Sequence, residues 1–189
     1  MQRVKEEVKV AYSAVAQRPT GVHPFPVGRQ FAESLGYVLA DVPDICVDAF
    51  VGISNISMTA VIPVGSTVLD LGCGSGLDSI IAARRTGDCG RVISVDFSDE
   101  MLYRARAGVA QAAISNIDLR QGDAERIPAE DASVDVAIVN GIFNLNPNRD
   151  VIFRELARVV RRGGSTYSAE LILTKPLAAE QQTTANWFA

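Results

Sequence analysis

Two rhythms of apolar residues divide the chain. Near its start Val4, Val8, Tyr12 and Val15 recur at three- or four-residue intervals, which places them on one face of an amphipathic helix. The segment RPTGVHPFPVG then breaks the pattern with three prolines and two glycines, the composition of an irregular loop. Apolar runs through RQFAESLGYVLADVPDICVDAFVG predict further short helices. From Thr67 the rhythm changes. TVLDLG, RVISVDF, IDLRQGD and VDVAIVN read as short strands, each giving way to a helix-like segment. Helices are predicted over 77–85 and 99–113, a poorer helical turn over 124–131, and a fourth helix over 149–161. That helix leads through Gly163-Gly164, placed where a helix C-cap belongs, into a fifth strand, STYSAELIL. Such alternation predicts an α/β fold: a doubly wound, mostly parallel sheet with helices on both faces.

Sheets of this kind bind ligands beyond the carboxyl ends of their strands, at the point where strand order reverses. The residues to weigh are therefore those of the turns after each strand. The first turn reads Asp70-Leu71-Gly72-Cys73-Gly74-Ser75-Gly76. A dinucleotide-binding G-x-G-x-x-G would need its third glycine where Leu77 stands, and its pyrophosphate would be repelled by Asp70. An acid before the glycines favours a ligand bearing positive charge, such as the ammonium of an amino acid. S-adenosyl-L-methionine carries that ammonium, with a carboxylate able to use backbone N–H groups at the helix start. Asp96 ends the second strand about 20 residues past the glycines, where a carboxylate can accept hydrogen bonds from both ribose hydroxyls. Phe97 and Met101 are placed to flank an adenine ring. Gly122, Asp123 and Ala124 form the third turn, with Asp123 an acceptor for the adenine amine and Ala124 a backbone donor. Asn140 ends the fourth strand and faces the same crevice. Each has a plainer alternative: Asp96 or Ser98 as a helix cap, Cys73 as a small apolar filler.

Composition narrows the partners. The chain has 189 residues, enough for one domain with a real core, a net charge of −4 and a sequence pI near 5. That balance argues against a nucleic-acid partner, and Arg84-Arg85 and Arg161-Arg162 are too short to form a basic patch. No apolar run approaches the roughly 20 residues that span a bilayer, and the charged start lacks a secretory h-region. Cys46, Cys73 and Cys89 are odd in number and form no CxxC, which suggests neither a disulfide framework nor a zinc site. A reducing, cytoplasmic setting is expected, with no metal and no membrane partner.

The motifs VLDLGCGSG, VISVDFSDEML, GDAERIP and VDVAIVNGIFNL, in that order, resemble those of the class I S-adenosylmethionine-dependent methyltransferases. Within them the chain is similar to the arsenite methyltransferase-like branch, on VKEEVKVAYSAVA, VDFSDEMLYRAR, NLNPNRDVIFRELARVVRRGG and Gly52-Ile53-Ser54-Asn55. The resemblance implies a helical cap at 1–60 contributing to the acceptor site, an S-adenosylmethionine-binding core at 61–175 and a tail at 176–189. Two departures matter. Ile53 and Gly141 stand where that branch has the thiolates that hold trivalent arsenic, a soft ion that needs them. The family fold also adds two strands after the fifth, for which TKPLAAEQQTTANWFA is too short. The expectation is a truncated chain whose fifth-strand edge is covered by a second copy in a homodimer.

Methyl transfer is an in-line displacement at an activated sulfonium carbon, to which a protein contributes proximity, alignment and exclusion of water. The resemblance places the acceptor, a small molecule, near the N-terminal segment and the turn after strand four. Tyr12, His23 and Asn140 are the catalytic candidates there, with Asn144 and Arg29 as further polar groups. His23 is the lone histidine and titrates in the range of a base, yet it sits between prolines where a surface histidine is common. Two other readings stay open: a cofactor-binding module with lost catalysis, and a nicotinamide-dependent oxidoreductase, which Leu77 and Asp70 disfavour.

Overall fold

A computed structural model of the chain describes residues 2–171; the predicted tail at 176–189 and the last two residues of the predicted fifth strand lie outside them. The N-terminal part is helical: α1 (Gln2–Gln17), α2 (Arg29–Ser34), α3 (Asp44–Val47) and α4 (Ile56–Thr59), with the proline-rich segment irregular between α1 and α2. The alternating part follows as β1 (Thr67–Leu71), α5 (Leu77–Thr86), β2 (Arg91–Asp96), α6 (Asp99–Gln111), β3 (Ile117–Gln121) and β4 (Val134–Asn140). A 3-10 turn (Phe143–Leu145), α7 (Arg149–Val159) and β5 (Val160–Ala169) complete it. The strands form one all-parallel sheet ordered β3-β2-β1-β4-β5, so the order reverses between β1 and β4. Among the described residues no helix is long and apolar enough to cross a membrane.

Parallel strands covered on both faces read as continuous apolar runs, and the central strands show why. Leu69, Leu71, Ile93, Val95, Ala137 and Val139 pack on one face against Ile152, Leu156 and Val159 of α7. Val68, Val92, Val136 and Ile138 point the other way, toward Ile56 and Ala60 of the α4 region and Ala82 and Ala83 of α5. Ser98 caps α6 by accepting from the Met101 N–H at 3.3 Å, and Asp99 and Glu100 in the first turn suit the helix dipole.

Two predicted elements differ. No helix forms over 124–131; the chain makes a tight turn closed by a bridge between Asp123 and Arg126. Its backbone is satisfied by α7 instead: Ile127 N–H donates to Glu155 at 2.9 Å, and Arg158 donates to the carbonyls of Ile127 and Ala129, both at 2.9 Å. Gly163-Gly164 is not a helix C-cap. The helix stops at Val159 and the pair lies within β5, where the register with β4 shifts between Val134 and Val136. Gly163 has φ +81°, and a Cβ on Gly164 would sit 2.7 Å from the Asp135 carbonyl oxygen. A bulge at this point needs both glycines.

Polar contacts seat α1 across the strand ends. Ser13 donates to Glu100 at 2.7 Å and lies 3.1 Å from the Ser98 hydroxyl, while Arg104 donates to the carbonyls of Ala16 and Ile45 at 2.5 and 3.1 Å. Val15 and Ala16 pack on Ala49 and Met101 beneath them. This docking carries Tyr12 over the crevice.

Candidate ligand-binding site

The site begins with the turn between β1 and α5. Gly72 and Cys73 both donate their N–H groups to the Val95 carbonyl, at 2.7 and 3.0 Å, which ties the turn to the end of β2. Gly72 and Gly74 have φ values of +77° and +52°, a region side chains rarely adopt. A Cβ on Gly72 would lie 2.5 Å from Cδ1 of Ile142, whereas one on Gly74 would meet nothing within 4 Å. The backbone at Gly74 is therefore bare toward open space, as close approach by a ligand requires.

That space is a cavity of about 300 Å³ beyond the carboxyl ends of β1 and β4. Asp96 enters its wall from the end of β2, accepting from the N–H groups of Gly74 and Ser98, each at 2.8 Å. Burial pushes its carboxyl up to about 6, against the pull of those N–H bonds. Phe97, Gly122, Asp123 and Ala124 continue the wall on one side. Asp123 is exposed and accepts from the Glu125 N–H at 2.9 Å. Tyr12 and Val8 close over it from α1, and Phe50, Val51 and Gly52 reach it from the segment after α3. Desolvation and the charges of Asp96 and Glu170 raise the Tyr12 phenol above its ordinary value. Asn140, Ile142 and Leu145 form the wall after β4.

Of the residues singled out in the sequence, Tyr12, Gly72, Cys73, Gly74, Asp96, Phe97, Gly122, Asp123, Ala124 and Asn140 thus line one cavity. The others lie elsewhere, among them Arg29, which pairs with Asp44 at 2.5 Å, and Asn144, whose amide donates to the Leu171 carbonyl at 2.5 Å. Asp70 is buried one layer behind the turn, accepting from Ser79 at 2.6 Å, and Ser94 donates to Ser79 at 2.8 Å. Gly76 faces Ala105 of α6, where an added Cβ would lie 3.1 Å from the Ala105 methyl, and serves the packing of two helices. Met101 is in the core under α1. His23 lies in the proline-rich segment, 2.8 Å from the Arg18 carbonyl and stacked on Phe25. Asn140 has its amide committed: its oxygen accepts from Ile53 and Ser54 at 3.0 and 3.2 Å, and its nitrogen donates to Ser54 and Asp78 at 2.8 and 3.0 Å. Sequence reasoning passed over Asp78, a buried acid in the cavity wall. Its signal is a carboxylate in the first turn of a stretch that is mostly apolar, Leu77-Asp78-Ser79-Ile80-Ile81.

A sequence profile described as a methyltransferase domain matches residues 62–188. The chain belongs to the methyltransferase domain family. It is 37% identical over 153 residues to an arsenite methyltransferase of Halobacterium salinarum, covering 80% of this chain and 39% of that one. It is 34% identical over 106 residues to a demethylmenaquinone methyltransferase of Lactococcus lactis, covering 56% of this chain and 42% of that one. The chain thus spans about two fifths of the length of these curated relatives. Among solved structures, an arsenic(III) S-adenosylmethionine methyltransferase from Chlamydomonas reinhardtii superposes with a TM-score of 0.68 at 30% identity, over 82% of this chain and 53% of that one. The Rossmann-like sheet and the relation to the arsenite methyltransferase branch agree with the motifs. In this methyltransferase domain, Ile53 and Gly141 are neighbours: a Cβ on Gly141 would lie 3.6 Å from Ile53. Among the described residues no group of three or more His, Cys, Asp or Glu is placed to hold a metal.

Proposed function

We propose that the cavity binds S-adenosyl-L-methionine and that this domain transfers its methyl group to a small organic molecule. The observation that carries the reading is the pairing of Gly74 and Asp96: a bare backbone next to a buried carboxylate held by the N–H groups of Gly74, Phe97 and Ser98. A ribose diol fits that carboxylate, since its oxygens keep capacity for a further donor. The amino-acid end of the cofactor belongs at Gly72–Gly74, in front of Asp70, and the adenine beside Phe97, Asp123 and Ala124. Bound there, the cofactor supplies an activated methyl group. The protein's own share is to orient the acceptor and exclude water, with α1 and Tyr12 closing the crevice. Residues 1–60 act as the cap and 61–175 as the core. The acceptor end is walled by Val51, Ile142 and Leu145, and apolar walls with few polar groups favour an acceptor with an apolar body. Ile53 beside Gly141 speaks against arsenite. A second copy along the outer edge of β5, which pairs with no strand among the described residues, belongs to the same proposal.

Calorimetric titration with S-adenosylhomocysteine and with NAD tests the binding. Uptake of the former and not the latter is expected; NAD alone would overturn the reading. Radiolabelled methyl release over a panel of apolar phenols, quinols and thiols, with arsenite as a control, then separates an active enzyme from a binding module. Sedimentation over a range of concentrations reports the dimer.

A further inference from the structure

Four groups from distant parts of the chain meet at the cavity wall: Asp78 and Asn140 in it, and Tyr37 and Ser54 behind it. The Tyr37 hydroxyl oxygen lies 2.7 Å from the Ser54 carbonyl and 2.6 Å from Oδ1 of Asp78. Asn140 spends its two amide protons on the Ser54 carbonyl at 2.8 Å and on Oδ2 of Asp78 at 3.0 Å. A proton count then decides the state of the acid. A phenol has one proton, a carbonyl none, and an ionised carboxylate none. With Asp78 ionised, one of the two short oxygen–oxygen contacts of Tyr37 would have no proton in it and would be repulsive. With Asp78 protonated, every contact is filled: Asp78 Oδ1–H donates to Tyr37, and Tyr37 donates to Ser54.

We propose that Asp78 is a positioning residue that works as a neutral acid, and that its proton, relayed through Tyr37, clasps the 53–57 segment to the end of β4 and so holds the cavity wall. Asn140 completes the clasp from the other side by accepting from Ile53 and Ser54. The wall depends on it directly, because Tyr37 packs edge-on against Phe50 with ring centres 5.1 Å apart, and Gly52 abuts the Asn140 amide. The surroundings suit a neutral acid. Asp78 is buried, and the ionisable groups facing it are Tyr37 from the segment after α2 and Asp70 from β1, with Asp96 beyond. No cation among the described residues pairs with it; Arg85 of its own helix donates to the Ser57 carbonyl. Burial raises the carboxyl above its ordinary range, against the opposing pull of its polar neighbours Ser57, Tyr37 and Asn140.

The inference concerns the ligand-free chain and stands whether or not the cavity takes S-adenosylmethionine. Asp78→Asn mimics the protonated acid, with one donor toward Tyr37 and one acceptor toward Asn140; Asp78→Ala removes both. The infrared difference between wild type and Asp78→Asn at pH 7 is expected to show the carbonyl stretch of a protonated carboxylic acid. Carboxylate bands in its place would overturn the proposal. Asp78→Asn should melt above wild type at pH 7, because it keeps the donor without the cost of protonating an acid, while Asp78→Ala melts about 6 °C below Asp78→Asn and Tyr37→Phe about 6 °C below wild type. As pH rises, Asp78→Asn should gain on wild type, because only wild type has the proton to lose. An Asp78→Asn variant as unstable as Asp78→Ala would show that both oxygens must accept, and would equally overturn the clasp.

Discussion

Asp96 has two demands on one carboxylate. It must organise the turn at Gly74 and the start of α6 at Ser98, and it must remain able to accept from a ligand. Asp96→Ala is expected to weaken S-adenosylhomocysteine binding about 100-fold, the loss of charged hydrogen bonds worth roughly 3 kcal/mol. Binding should also rise with pH. The free carboxyl titrates at about 6, so affinity should climb about tenfold per pH unit below that point and level off above it. A calorimetric series from pH 4.5 to 8 checks the slope; an affinity flat through pH 6 would remove Asp96 from the ribose site. Asp96 was legible in the sequence because its chemistry and its place, strand end then helix, are adjacent in the chain. Asp78 was not, because its partners Tyr37 and Asn140 stand 41 and 62 residues away. The same distance misleads in the other direction: Asn140 looks free in the sequence, but the fold engages its amide with Ile53, Ser54 and Asp78.

At the level of elements, the central strands were readable because both their faces are buried, and β4 covers the mostly apolar segment VDVAIVN that predicts it. The glycine pair after α7 was not readable in the same way. Two glycines after a helix suit a C-cap and a bulge equally, and only the approach of Asp135 to Gly164 separates them. Nor does local sequence show that the 124–131 turn borrows its backbone partners from Glu155 and Arg158. The seat of α1 is likewise non-local, and it yields a prediction. Arg104→Ala frees the carbonyls of Ala16 and Ile45 at once. A loss of about 2 kcal/mol in stability is expected, read by urea denaturation, with proteolysis at the proline-rich segment accelerated. Substituting Gly74 by Ala tests the turn instead. The folded chain should persist, because nothing lies within 4 Å of the added carbon, yet the left-handed φ and the filled cradle should cost about 10-fold or more in S-adenosylhomocysteine affinity.

For the molecule as a whole, β1, α5 and β2 place three acids in buried positions, Asp78 and Asp96 in the wall of one crevice and Asp70 one layer behind it, and burial raises each of them. An acid whose proton is held more tightly in the fold than in the unfolded chain makes the native state the better proton binder. Between the unfolded and folded values, stability therefore falls as pH rises, and the contribution is gone above the folded value. For Asp96 that window runs from about 4 to about 6, and the shift from 3.8 to about 6 corresponds to roughly 3 kcal/mol. Thermal unfolding of the free protein should reflect this loss between pH 4 and 6, once the trend of exposed groups is subtracted with an Asp96→Ala control. A ligand that donates to Asp96 holds it ionised in the native state and lowers the folded value back toward the unfolded one. With S-adenosylhomocysteine at about 100 times its dissociation constant, the protein should gain about 2.7 kcal/mol at pH 7, and less at pH 4.5, where binding must first displace the proton. The gap between the free and bound melting curves should thus widen with pH up to about 6 and stay constant above it. A gap that is constant across the range would mean that the carboxylate at the end of β2 takes no part in holding the ligand.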